Sequence, residues 1–189
     1  ASYFSVFANG GKSIQAFFIE KILKTGEEVQ FLENQETNEN FIESWVGKEF
    51  PKEEIFTIDP RVSYIINDIL LEATRRGTGK KIQSLKRDDF AGKTGTTNDA
   101  ESTWFTGFNK NILTTVWFGY DQPSTLGNKE FGSSTALPIW LDYMEDIIDD
   151  VEYGIQTRPS GLIAKKISLS DGMPANPEDS KTMFELFLD

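Results

Sequence analysis

Cysteine and histidine are both absent from the 189 residues. Disulfides, thiol nucleophiles, His-ligated zinc and Ser-His-Asp or Cys-His catalysis are therefore excluded within this chain. Acid–base chemistry has to run on Lys, Asp, Glu or Tyr. Basic charge is scarce: 19 Lys and Arg face 30 Asp and Glu, a net charge of −11. That is the wrong sign for clamping phosphate backbones, so no nucleic-acid partner is expected. No run of eighteen apolar residues occurs, and the opening ASYFSVFANGG lacks the basic n-region of a signal peptide. Lack of cysteine is compatible with any compartment. What is present is 38% hydrophobic residues, enough for the core of a folded domain or of a large piece of one.

Tyr3, Phe4, Val6 and Phe7 have helical spacing that stops at Asn9, Gly10, Gly11. Ile14 to Ile22 and Glu28 to Leu32 read as strands turned through Lys24, Thr25, Gly26. Residues 34–58 read as an acidic loop insertion with aromatic anchors Phe41, Trp45, Phe50 and Phe56. The clearest helix starts at Asp59 as N-cap and Pro60 at N1. It continues through Val62, Ile65, Ile66, Ile69, Leu70 and Ala73, and ends at Gly77. Strands are expected at Asp89 to Thr97, Ser102 to Asn109 and Ile112 to Tyr120, the last two joined at Asn109, Lys110, Asn111, in a sheet packed on both faces. A helix is expected over about 134–149 with Pro138 in its first turn, then a strand at Leu162 to Ile167. A short amphipathic end carries Phe184, Leu186 and Phe187. Strands in runs with helices between the groups indicate an α+β fold with an antiparallel sheet.

Phe90 to Asn98 sets small and hydroxylated residues around one lysine. A P-loop needs G-x-x-x-x-G-K-[ST]; Gly92, Lys93, Thr94 match its end, but its first glycine falls on Arg87. The other reading is a Lys-Thr-Gly strand of the serine acyltransferases that bind penicillin. An ammonium and two hydroxyls on one strand edge can hold a carboxylate, and a following amide can donate to an oxyanion. Lys93 supplies the charge, Thr94 and Thr96 the hydroxyls, and the Thr96 amide is the oxyanion candidate. Three residues alone are weak evidence, since Lys24, Thr25, Gly26 is a second KTG. It is followed by Glu27 and Glu28, which would repel a carboxylate, and is read as a turn.

The wider neighbourhood is more specific. RRGTGK before the motif, AGKTGTTN at it, STWFTGF and TTVWFGYDQP after it, and ALPIWLDYM later resemble the transpeptidase domain of the class A penicillin-binding proteins. SVFANGG and IDPRVSYIINDIL resemble it too, so the likeness spans essentially the whole chain. The resemblance implies the β-lactamase/transpeptidase-like (penicillin-recognising serine peptidase) fold, an antiparallel sheet flanked by helices. It implies D,D-transpeptidation, in which a serine attacks the D-Ala-D-Ala end of a stem peptide and an acceptor amine takes the acyl group. Catalytic roles then fall to Lys93 and the Thr96 amide, and substrate contacts to Thr94, Gly95, Thr96, Thr97 and Trp104. The implied partners are peptidoglycan stem peptide, its lipid-linked precursor and β-lactam antibiotics. No cofactor or metal is implied. The implied parent is also a peptidoglycan glycosyltransferase, with this domain in the periplasm and its anchor in the inner membrane.

The resemblance also implies S-x-x-K and S-x-N motifs. None of the serines from Ser2 to Ser180 has lysine three residues on or asparagine two residues on. Ser84, with Arg87 three residues on, comes nearest, but arginine cannot serve as the deprotonated base that lysine can become. Residues 1–189 thus read as the C-terminal portion of a transpeptidase domain, cut after the nucleophile, with 150–189 as a C-terminal extension and no activity of its own. A non-catalytic β-lactam-receptor or partner-docking module of the same fold is the alternative. Trp104, Phe105, Trp117 and Phe118 read chiefly as core, with Trp104 the best placed for a ligand. Gly77 and Gly79 read as a helix end or a loop shaped beside a cleft. Asp142, Glu145, Asp146, Asp149 and Asp150 read as a solvated helix face.

Overall fold

The computed structural model describes residues 2–12, 14 and 57–189, together with the backbone of two short strands between them. Helix α1, Ser2–Ala8, stops where Gly10 (φ 77°) and Gly11 (φ 100°) take the left-handed region that glycine tolerates. Strands β1, Leu23–Lys24, and β2, Glu27–Glu28, pair antiparallel with Lys24 opposite Glu27, so Lys24 of the second KTG lies in a strand where a turn was expected. Residues 15–22 and 29–32 of the expected strands, and the loop from 34 to 56 with its aromatic anchors, lie outside the described residues.

Helix α2, Pro60–Arg75, begins as its sequence dictates: the Asp59 side chain accepts the Arg61 amide at 2.8 Å. Bonds from the Arg61 side chain and then its amide hold the Asp59 carboxyl at a pKa of about 2. The buried stripe is rotated from the expected one. It runs Ser63, Asn67, Leu70, Leu71, Thr74, while Ile69 is 53% exposed. The helix lies close to its neighbours through hydrogen bonds as well as apolar contact. Ser63 Oγ donates to the Val6 carbonyl at 2.9 Å, and Thr74 Oγ1 shares its proton between the carbonyls of Leu71 (2.7 Å) and Phe90 (2.8 Å). Hydropathy periodicity cannot register such polar members of a buried face.

Strands β3 (Ala91–Thr96), β4 (Ser102–Phe108) and β5 (Leu113–Gly119) form one antiparallel sheet in that order. Ala91 pairs with Phe108 and Thr96 with Thr103; Ser102 pairs with Gly119 and Phe108 with Leu113. Side chains alternate between the faces. Ala91 and Phe108 pack with Ala8, Leu70 and Leu71 under α1 and α2. On the other face, Phe90 and Phe105 meet Trp140 edge-on, with centroids at 5.6 and 5.3 Å. Trp140 belongs to helix α3, Ala136–Ile147. Both faces are covered only at the Ala91 end. At the far end Trp104 and Trp117, each 45% exposed, stand beside one another with ring centroids 6.4 Å apart. The carboxylates of α3 and the turn after it are exposed, on the side away from the sheet.

After α3 the chain crosses the end of the sheet and forms a separate hairpin, β6 (Leu162–Ser168) with β7 (Thr182–Leu188). The short amphipathic end is thus a strand, because Lys166 and its neighbours in β6 offer it a ladder. The crossing is anchored by a polar node at the start of β3. Arg87 donates to both oxygens of Asp89, at 2.8 and 2.7 Å, and to the Val151 carbonyl at 2.9 Å. Asp89 also accepts from Asn109 Nδ2 (2.9 Å) and the Gly154 amide (3.0 Å). The Asp89 side chain is sealed from solvent.

Candidate functional site

The ladder fixes which way the backbone of β3 points. The Thr97 amide donates to the Ser102 carbonyl at 3.1 Å, marking that pair as hydrogen-bonded. Bonded and non-bonded pairs alternate along an antiparallel ladder. Gly95, Lys93 and Ala91 therefore turn their amides and carbonyls to β4, whereas Gly92, Thr94 and Thr96 turn theirs to the other edge. Among the described residues no strand pairs with that edge.

The side chains divide differently. Thr94 and Thr96 share the face of Phe105 and α3, while Lys93 and Gly95 share the face of Trp104 and α2. Lys93 and the two threonines thus start from opposite faces, and they converge only at the unpaired edge. Lys93 Nζ donates to the Thr94 carbonyl at 2.8 Å, and that carbonyl points along the edge. The charge accordingly lies at the edge to which the Thr94 and Thr96 amides also turn.

Each hydroxyl of the motif has a partner. Thr94 Oγ1 is 3.0 Å from Thr78 Oγ1. Thr96 Oγ1 accepts the Gly132 amide at 3.1 Å. Thr97 Oγ1 accepts the amides of Glu101 (2.9 Å) and Ser102 (3.0 Å), so it is engaged in the turn joining β3 to β4. Gly95 has Trp104 directly opposite, and a Cβ on Gly95 would sit 3.2 Å from the Trp104 Cβ. The bare glycine lets the indole lean over the strand on the Lys93 face.

Gly132 was not singled out by the motif reading. A Cβ there would come within 2.5 Å of the Trp104 carbonyl oxygen and 2.7 Å of the Gly95 carbonyl oxygen. Both obstacles are backbone. The bond between Thr103 Oγ1 and Thr135 Oγ1 (2.6 Å) holds the same loop to β4. Gly132→Ala is expected to push the loop off the strand, cost about 1–3 kcal/mol of stability as an overpacked site, and free the Thr96 hydroxyl. A thermal midpoint unchanged from wild type would contradict this.

Comparison with known proteins decides the family. The penicillin binding protein transpeptidase domain model matches residues 1–145. The chain belongs to that family. Penicillin-binding protein 1A of Pseudomonas aeruginosa is 43% identical over 130 residues, which are 69% of this chain and 16% of that protein. The protein of the same name from Neisseria lactamica is 34% identical over 175 residues, 93% of this chain and 19% of the relative. The crystal structure of penicillin-binding protein 1A from Haemophilus influenzae superimposes with a TM-score of 0.76 at 27% identity, covering 97% of this chain and 31% of that one. The class A resemblance and the transpeptidase-like α+β fold therefore hold. The chain spans less than a fifth of the curated relatives it matches. The family model ends inside α3, so the polar crossing and the β6–β7 hairpin of this transpeptidase segment lie beyond it. No helix among the described residues is long and apolar enough to cross a membrane.

Proposed function

We propose that this chain is the carboxylate-binding and oxyanion wall of a peptidoglycan D,D-transpeptidase that is also the target of penicillin. In this reading Lys93 and the Thr94 hydroxyl hold the substrate carboxylate, and the Thr96 amide donates to the developing oxyanion. Gly95 and Thr97 keep the strand and its turn in shape for the incoming peptide, and Trp104 flanks it. The observation that carries the reading is that the Lys93 ammonium and two outward amides serve one edge of β3, with which no strand pairs among the described residues. An extended peptide laid along such an edge takes main-chain bonds from it, and the charge fixes its C-terminal end.

The reaction needs a serine that this chain does not supply in the S-x-x-K setting. The serine hydroxyl attacks the carbonyl of the penultimate D-Ala, its proton passes to a base, and the terminal D-Ala leaves as the amine. The acceptor amine then displaces the serine oxygen from the acyl group. Donors preorganised for the oxyanion lower both barriers, each contributing on the order of 10²–10³ in rate. No metal or organic cofactor is required for such an exchange. The parent is also proposed to carry a glycosyltransferase domain and a membrane anchor, with this domain in the periplasm, in keeping with the class A resemblance. Residues 1–189 act as the C-terminal portion of the transpeptidase domain, 34–58 as an insertion and 150–189 as an extension.

Fluorescent penicillin tests the division of labour. The full-length parent is expected to carry a label that survives denaturation, and the 189-residue chain alone none. A denaturation-resistant label on the isolated chain would show that the nucleophile lies within it and would sink this reading.

A further inference from the structure

The Arg75-to-Lys80 segment of the chain has no part in the chemistry above, yet it is built with care. Gly77 and Gly79 bracket Thr78. The amides of both glycines converge on the Ala73 carbonyl, at 3.1 and 3.0 Å. A Cβ on Gly77 would meet that oxygen at 2.8 Å, and one on Gly79 would meet it and the Thr74 methyl at 3.3 Å. Neither glycine has a positive φ; their bareness serves close approach. The loop is thereby folded back on the end of α2, and Thr74 ties that end to the Phe90 carbonyl at the foot of β3. Gly79 and Ile82 are buried behind it, whereas Thr78 itself is exposed at the tip. Its hydroxyl lies 3.0 Å from that of Thr94.

A hydroxyl carries one proton and two lone pairs. If Thr94 is to give its proton to a carboxylate, its bond with Thr78 must run the other way, Thr78 donating and Thr94 accepting. Such a chain is self-reinforcing, because a hydroxyl that accepts a bond is a better donor. The geometry points to Thr78 as a positioning residue for carboxylate recognition: it fixes the rotor and the proton direction of Thr94 without touching the substrate. This rests on the proposed role of Thr94. Thr78 is separated from Thr94 by the 3₁₀ turn at Lys80–Leu85, which takes the chain from the α2 face to the α3 face. The bracketing glycines are what allow so short a path to end with the two hydroxyls in contact.

The test measures acylation of the full-length protein by benzylpenicillin and by its methyl ester, which lacks the carboxylate charge. Thr78→Val is expected to lower the acylation rate constant for benzylpenicillin about tenfold, the effect of one lost neutral hydrogen bond, and Thr78→Ser to restore it. The ester should respond less than twofold. In a Thr94→Val background, Thr78→Val should add nothing, because the pair acts as one unit. Thr78→Ala takes the place of Thr78→Val if the valine lowers the thermal midpoint. An undiminished rate in Thr78→Val, an equal loss with the ester, or additive losses in the double variant would each overturn the inference. If Thr94→Val itself acylates normally, the carboxylate role of Thr94 fails and the inference falls with it. A loss in Thr94→Val with none in Thr78→Val rejects Thr78 alone.

Discussion

Lys93→Ala in the full-length transpeptidase is expected to lower the rate constant for acylation by β-lactams roughly 10- to 150-fold. Hydrogen bonds to charged groups contribute about 1.5–3 kcal/mol, and Lys93 is the one cation that β3 brings to its unpaired edge. The loss should appear in the second-order constant, since in the proposed role the ammonium holds the carboxylate in the ground state and the transition state alike. Lys93→Arg is expected to recover little. The ammonium reaches the edge as a compact charge folded back onto the Thr94 carbonyl, and a planar guanidinium cannot copy that geometry. The structure should tolerate the alanine, because Lys93 is exposed and, among the described residues, its only hydrogen bond is to its neighbour's carbonyl. An acylation rate unchanged in Lys93→Ala would reject the assignment of this strand.

Asp89→Ala is expected to cost about 3–5 kcal/mol of stability, the size seen when one member of a buried ion pair is removed. The change strips Arg87, Asn109 and the Gly154 amide of their common acceptor. It thereby detaches the segment leading to β6 from the end of the sheet. The pH dependence has a definite sign. Burial would raise the Asp89 carboxyl, but the Arg87 side-chain bonds, then the Gly154 amide and Asn109, outweigh it and hold the group below the ordinary carboxylate range. A carboxyl lowered on folding contributes its full stability above its unfolded pKa, about 3.9. That contribution is lost as pH falls from there through the folded value. Resistance of the transpeptidase domain to urea should therefore fall below about pH 4, and this acid limb should shrink in Asp89→Asn. An acid limb of the same depth in Asp89→Asn would show that the node does not control it.

The motif strand, its two partners and α2 were legible because each is specified locally. Asp59 and Pro60 start a helix whatever surrounds them, and Asn109 closes its turn by accepting the amides of Asn111 (2.8 Å) and Ile112 (3.0 Å). The division of Lys93 from Thr94 and Thr96 was legible in principle too, since it needs only a two-residue period. The Asp89 node was not. Arg87 was visible only as the residue that spoils a P-loop and an S-x-x-K motif, and what makes the node structural is the Val151 carbonyl that Arg87 reaches and the Gly154 amide that Asp89 accepts, each more than sixty positions away. Gly132 and Thr78 escaped for the same reason. Nothing near Gly132 in sequence announces that the Gly95 and Trp104 backbones will press against it.

By itself the sequence determined the chemistry this chain can offer: no thiol, no imidazole, no S-x-x-K serine, and one lysine among hydroxyls on a β-strand. Those are statements about which groups exist and how they alternate, and covalent order settles them. The tertiary structure alone decided which edge of β3 pairs with β4, which hydroxyl meets which partner, and what anchors the chain beyond α3. Each of these depends on distances between segments far apart in sequence, set by the packing of helices and sheet.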